Sequence, residues 1–403
     1  MPTRPAALFA SYERAFQRMP KRERLRADQL TDRATHLLED RLGARPGTVH
    51  AGFAHVGFGL FAQHTCFVDG GAALLSLSQG TAVALRRVGD DPSEIAGEDP
   101  GQRFLVTTDE PSSPAPIWLR LIAAIWRRVA GQTDGVQAAV VTTVFPTCVE
   151  PYLASLAVAA MRAMHAACGL PATTPIPYAA LCTVISELID GPYSVAYLMA
   201  ADAGSVDTIV LVNTLTAERR NVAIPGGDAI CWGIVDVGSM APLGEEAYRN
   251  VETLAKEALA ILKEGPHRDL RSLTLLDFRS LNRALAGLPK RLRPVVRFLV
   301  GESHRAHHLD TALRRSDWQV VGGLLFFSHA SLREEWAGTN AEIDFVVEAV
   351  ESRGGEGMYG ACLTGRGGCV LVVGQRYAVP SCVERIKEEF LERFGREPRA
   401  MLL

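Results

Sequence analysis

Tyr359-Gly360-Ala361-Cys362-Leu363-Thr364-Gly365-Arg366-Gly367-Gly368-Cys369 runs directly into Val370-Leu371-Val372-Val373. Glycines at 360, 365, 367 and 368 permit a sharp turn and a close approach of backbone to a neighbour, and the β-branched run that follows has the length of a buried strand. The stretch predicts strand, tight glycine turn, strand. The N–H groups of such a turn either cradle an anion or only let two elements pack closely, and glycines alone do not separate the two readings.

Upstream, Ser328-His329-Ala330-Ser331-Leu332-Arg333 is followed by Glu342-Ile343-Asp344. Together with the glycine turn, these segments resemble the third motif region of galactokinases in the GHMP family of small-molecule kinases, where Ser-His-x-Ser-Leu-Arg precedes Glu-Leu-Asp. The family turn reads Thr-Gly-x-Gly-Phe-Gly-Gly-Cys. Here Thr364-Gly365-Arg366-Gly367-Gly368-Cys369 is two residues shorter, so the loop is altered where the resemblance is best.

The chain has 403 residues, 48% hydrophobic and 22% charged, enough to bury substantial cores in two or three structural units. A formal net charge of −3 argues against a protein built to neutralise nucleic-acid phosphates or an anionic membrane. The basic clusters Lys21–Arg26 and Lys290–Arg293 are short and read as solvated helix faces. Eight cysteines without a C-x-x-C pair fit neither a disulfide framework nor a zinc ribbon and suggest reduced thiols in a cytoplasm. No signal-peptide core or run long enough to span a membrane is present in this sequence.

From Ala6 to about Leu42 apolar residues recur at helical spacing, and short strands with glycine turns follow. Ala54 to Phe67 aligns without gaps to the galactokinase signature Ala-Pro-Gly-Arg-Val-Asn-Leu-Ile-Gly-Glu-His-Thr-Asp-Tyr. In that frame the family arginine falls at Gly57, the sugar-binding glutamate at Gln63 and the aspartate at Cys66, while His64 and Thr65 keep their identity; Asp69-Gly70 continues it. Glutamine still accepts a hydrogen bond from a sugar hydroxyl, but cysteine does not replace a carboxylate.

An amphipathic helix is expected over Pro114–Val129, and a strand over Ala138–Val144 leads to a loop opening a small-residue helix. In the family this junction is a glycine-serine loop whose N–H groups and helix N-terminus hold the ATP triphosphate. Here Phe145-Pro146-Thr147-Cys148-Val149-Glu150-Pro151-Tyr152-Leu153 has no glycine, two prolines, and a carboxylate at Glu150 that repels phosphate; as a bare helix start, Glu150 and Pro151 are ordinary first-turn residues. The family's catalytic aspartate falls at Tyr197, whose ordinary pKa of about 10 makes it a poor base at neutral pH and which also suits plain packing.

The second half opens with the strand Thr208–Asn213, then Ala229–Ser239, which ends in Asp236-Val237-Gly238-Ser239 and looks like the family strand ending in Asp-Ser-Gly. A long helix follows from Glu245 to about Lys263, and Arg297, Glu302 and Arg305 lie on a further helical stretch. His304, His307 and His308 share a helix face with Asp310 nearby; the spacing allows metal ligation but equally describes a polar, partly exposed face, and no metal site is assigned there.

The fold expected is α+β. The resemblance, over roughly residues 50–375, implies a two-lobed GHMP kinase fold with an N-terminal lobe (1–205) like the second domain of ribosomal protein S5 and a ferredoxin-like C-terminal lobe (206–403). The resemblance places substrate contacts at Gln63, His64, Cys66, Asp69 and Asp236 and nucleotide contacts at Thr364, Gly365, Gly367 and Gly368. Because phosphate loop, arginine and base all depart from the pattern, the expectation is a pseudokinase, a sugar-binding or regulatory protein. The alternative is a divergent sugar kinase using Mg-ATP, or a reused cleft with a Cys66/His64 nucleophile pair. A cleft filled by Phe58, Phe61, Phe67 and Tyr152 would instead mark a structural or partner-binding protein with a vestigial site.

Overall fold

A computed structural model describes residues 27–98, 103–106, 115–238, 245–265, 267–336 and 338–403. The start of the expected N-terminal helix and the basic cluster at 21–26 lie outside the described residues. Two antiparallel-dominated sheets organise the rest.

The first sheet is built on β2 (Gly71–Gly89), which pairs along its length with β1 (His50–Phe61) and, on its other edge, with β5 (Gly135–Thr142) and then β6 (Thr208–Asn213). β3 (Ser93–Gly97) adds in parallel to β5 and carries β4 (Arg103–Val106), while β7 (Glu218–Ala223) closes the far edge. β6 and β7 lie past residue 205, so the division expected there falls between a helix and the sheet it packs on. α1 (Ala27–Leu42) covers one face through Leu30, Ala34 and Leu38 against Ala82, Ala84, Ala139 and Val141. The other face carries α3 (Val149–Ala167) and α5 (Val195–Ala203), with α2 (Ile117–Ala124) and α4 (Tyr178–Leu188) packed outside them. α2 is nearly all apolar and continues into one π-turn, Ile125–Val129, which buries Trp126 as well as Trp118.

The second sheet has the order β11-β8-β10-β9, with β8 (Ile230–Asp236), β9 (Met358–Leu363), β10 (Cys369–Gln375) and β11 (Arg399–Leu402). The glycine stretch makes the β9–β10 hairpin as expected, and Val370 to Val373 are fully buried. Alternation along β10 sends Leu371 and Val373 towards the first lobe and Val370 and Val372 into a second core. That second core is closed by α6 (Glu245–Glu264), α7 (Leu281–Ala286), α8 (Arg293–Arg314), α10 (Ala341–Glu351) and α11 (Ala378–Phe394).

α9 (Trp318–Trp336) crosses β9 at backbone distance: a Cβ on Gly322 would sit 1.8 Å from the Tyr359 carbonyl oxygen, and one on Gly360 would sit 2.5 Å from the Gly322 Cα. The first glycine of the stretch is therefore a packing glycine. Trp232, Ile234, Leu309, Trp318, Cys362 and Leu371 share one continuous core with residues of β1, β2, α3 and α5, so the sheets meet across apolar side chains.

Candidate functional site

The site lies where the β9–β10 turn faces the start of α3. Gly365 takes a left-handed conformation (φ 71°), which folds the turn so that its backbone lies on the 147–150 segment. A Cβ on Gly367 would be 1.7 Å from the Thr147 carbonyl oxygen. No atom fits between the two backbones.

Glu150, in the first turn of α3, is 2% exposed and points at this turn. Its Oε2 accepts the Arg366 backbone N–H at 2.7 Å and its Oε1 accepts Arg366 Nε at 2.8 Å. Tyr193 adds a hydroxyl bond to the Glu150 carbonyl at 2.7 Å, and Gln63 Nε2 donates to the Gly365 carbonyl at 2.8 Å. A carboxylate at a helix N-terminus is favoured by the axial dipole, and pairing with a guanidinium offsets its desolvation.

On the other side of the turn, Asp236 is 1% exposed and accepts from Thr147 Oγ1 at 2.7 Å, from the Gly238 N–H at 2.9 Å and from Arg399, whose guanidinium also lies over the Phe145 ring at 5.1 Å. Val237 N–H donates to the Gly368 carbonyl at 2.9 Å. The loop at 145–150 is thus clamped by two ion pairs, one on each side.

Most of the remaining positions singled out in the sequence are enclosed. His64 is fully buried and its Nε2 meets the Gly71 carbonyl at 2.8 Å; since a carbonyl only accepts, the proton sits on Nε2. Burial holds His64 below its ordinary value of 6.5, against the opposing pull of Glu302, so the ring is neutral. Thr65 Oγ1 is 2.5 Å from Ser194 Oγ, the residue that caps α5. Burial pushes the Cys66 thiol up to about 12, leaving it protonated, and the basic nitrogen of the neutral His64 ring, Nδ1, makes no hydrogen bond to it, so the two do not form a nucleophile–base pair.

Tyr197 is fully buried on α5 with its hydroxyl 2.5 Å from where a Cβ on Gly59 would be. At Gly57 a Cβ would come within 2.8 Å of Ala200 Cβ, so α5 occupies the space an arginine would need. Phe58, Phe61 and Tyr152 are buried in the same core, while Phe67 is partly buried against the second core and stacks edge-on with Trp336. Asp69 stands apart on the surface, where its side chain accepts from Thr214 at 3.1 Å and its carbonyl from Ser272 at 2.6 Å.

The structure therefore brings Gln63 to Gly365 and Thr364–Gly368 to the 145–150 loop. Cys66 lies near the Glu150–Arg366 pair, which influences its thiol, and Asp236 closes the loop from the C-terminal side. Sequence reading passed over Arg366 as a partner for Glu150, gave Thr147 and Ser194 no role of their own, and did not single out Arg399. Opposite charges at Glu150 and Arg366, in two segments the resemblance assigns to one phosphate site, were the available signal.

The fit of a nucleotide triphosphate is tested by these contacts. The first turn of α3 already carries a buried carboxylate, the turn N–H of Arg366 is taken by that group, and Gly367 abuts Thr147. These residues do not fit the phosphates of Mg-ATP in the GHMP manner. Among the described residues, no group of three or more His, Cys, Asp or Glu side chains is placed to hold a metal ion, and no helix is long and apolar enough to cross a membrane.

No family model matches the chain. Among curated proteins, the galactokinase of Thermotoga neapolitana is 28% identical over 194 residues, covering 47% of this chain and 51% of that protein. The galactokinase of Thermotoga maritima is 30% identical over 195 residues, covering 48% and 52%. The chain spans about half the length of the curated relatives it matches. Among solved structures, Lactococcus lactis galactokinase complexed with galactose superposes at a TM-score of 0.77 with 19% identity, covering 93% of this chain and 97% of that one. The mevalonate kinase of Methanococcus jannaschii superposes at 0.54 with 12% identity, covering 89% and 98%.

Proposed function

We propose that this galactokinase-like chain, which has the two-lobed GHMP kinase fold, no longer transfers phosphate from ATP to a sugar but serves as a binding or regulatory protein on that scaffold. The observation that carries this reading is the Glu150–Arg366 pair: a buried carboxylate on the first turn of α3, held by the glycine turn, where the resemblance places phosphate. Phosphoryl transfer gains its rate from positioning and charge stabilisation. The arginine position is Gly57 under α5 and the base position is Tyr197 in the core, which supports the loss of both contributions together.

A second reading, a divergent sugar kinase acting on galactose or a related sugar, is favoured by the relatives' names, all of them galactokinases among those given above. Galactose, bound in the Lactococcus structure, is the first small-molecule ligand to try. Calorimetry with Mg-ATP and with galactose, alongside an assay for sugar phosphate, separates the readings. The proposal expects no heat from millimolar Mg-ATP and no sugar phosphate. ATP-dependent formation of galactose phosphate by the purified wild-type protein overturns it.

A further inference from the structure

On α8, remote from the clamped loop, two imidazoles face each other: His304 Nε2 and His308 Nε2 are 3.0 Å apart, one helical turn from each other. Their ring centroids are 4.2 Å apart at 68°. His304 is not free to swing, because the Phe278 ring stacks on it at 4.1 Å and 14°. Phe278 itself is 45% exposed, so a large apolar ring is held at the surface with this histidine as its ring partner.

The geometry points to a surface site for a divalent transition-metal ion, chelated by the Nε2 atoms of His304 and His308 and completed by water. Two nitrogens at metal–nitrogen distances of about 2.0–2.1 Å lie about 2.9 Å apart when they subtend a right angle and about 3.3–3.4 Å apart at the tetrahedral angle. The observed 3.0 Å, the separation of a hydrogen-bonded pair, already lies close to the right-angle case, and two imidazoles held cis suit Cu(II) and Ni(II). One ring donates its Nε2–H to the other, and a metal ion takes that proton's place once the exposed His308 ring tilts so that both lone pairs meet at one point.

Asp310, which the sequence put near this face, is not a third ligand, because its oxygens go to Arg220 at 2.9 Å and Arg314 at 3.2 Å. The His307 ring lies farther off, 6.1 Å from His308 between centroids. This site is independent of the reading of the ATP cleft.

The test uses the full chain titrated with CuCl2 and with NiCl2 at pH 7.5 in a non-coordinating buffer, read by calorimetry and, for copper, by electron paramagnetic resonance. One equivalent is expected to bind, with two nitrogen couplings in the copper spectrum. His304→Ala and His308→Ala each weaken binding by about tenfold or more, and His307→Ala leaves it unchanged. Phe278→Ala, which frees the His304 ring, weakens binding less. Circular dichroism of the metal-free variants checks that the exposed substitutions leave the fold intact. One-nitrogen coordination, or equal affinity in wild type and the His304→Ala/His308→Ala double variant, overturns the proposal.

Discussion

At Glu150 the start of α3 favours a negative charge, and the turn at 364–368 presents one N–H and one guanidinium to receive it. The pair is almost fully buried on both sides, so removing one partner strands the other charge away from water. Glu150→Ala is therefore expected to lower the unfolding free energy by about 3–5 kcal/mol, whereas Glu150→Met combined with Arg366→Met loses much less. Urea unfolding of the two single variants and the double variant measures this, and losses that simply add would contradict the pairing. His64 gives a second residue-level expectation. Its folded value lies below 6.5, so the unfolded chain binds the proton more tightly and stability falls as pH drops through and below 6.5. His64→Gln keeps a donor to the Gly71 carbonyl and removes the titration. The slope of stability between pH 6.5 and 5 should then decrease by up to about 1.4 kcal/mol per unit.

Elements explain why restoring one family residue would not restore the family site. α5 lies so close to β1 that Gly57 has no space for a side chain, and Tyr197, one turn before Ala200, fills the gap above Gly59. Gly57→Arg is expected to yield unfolded or insoluble protein. Gly57→Ala with Ala200→Gly exchanges the methyl across the contact and should melt within a few degrees of wild type. Differential scanning calorimetry distinguishes the two, and a stably folded Gly57→Arg protein would show that α5 moves away from β1. The β9–β10 hairpin was legible from its glycines and valines, because a turn needing positive φ and a strand buried on both faces leave local marks in sequence. The choice between the anion-cradling and close-packing readings of that turn was not legible. It depends on Thr147 and Glu150, brought against it from more than two hundred residues away.

Across the whole molecule, the apolar core that joins the lobes includes Trp232, Trp318 and Leu371 from one side and Phe58, Phe61 and Tyr197 from the other. Side chains packed between the lobes couple their folding. The chain is expected to unfold in a single transition in which tryptophan fluorescence and far-ultraviolet dichroism coincide. Two separated transitions would mean the lobes are independent units. The division expected at 205 shows the limit of linear reading: β6 and β7 complete the first sheet by pairing onto β2, a partner set by register across distant residues.

What the sequence by itself determined is the α+β class, the order of elements around the glycine hairpin and the likeness to galactokinases, because periodicity, turn chemistry and motif order are properties of short segments. Only the tertiary structure decided what became of the cleft. The ion pairs Glu150–Arg366 and Asp236–Arg399 join residues 216 and 163 positions apart. A buried charge reveals its partner only when the fold has excluded water from around both.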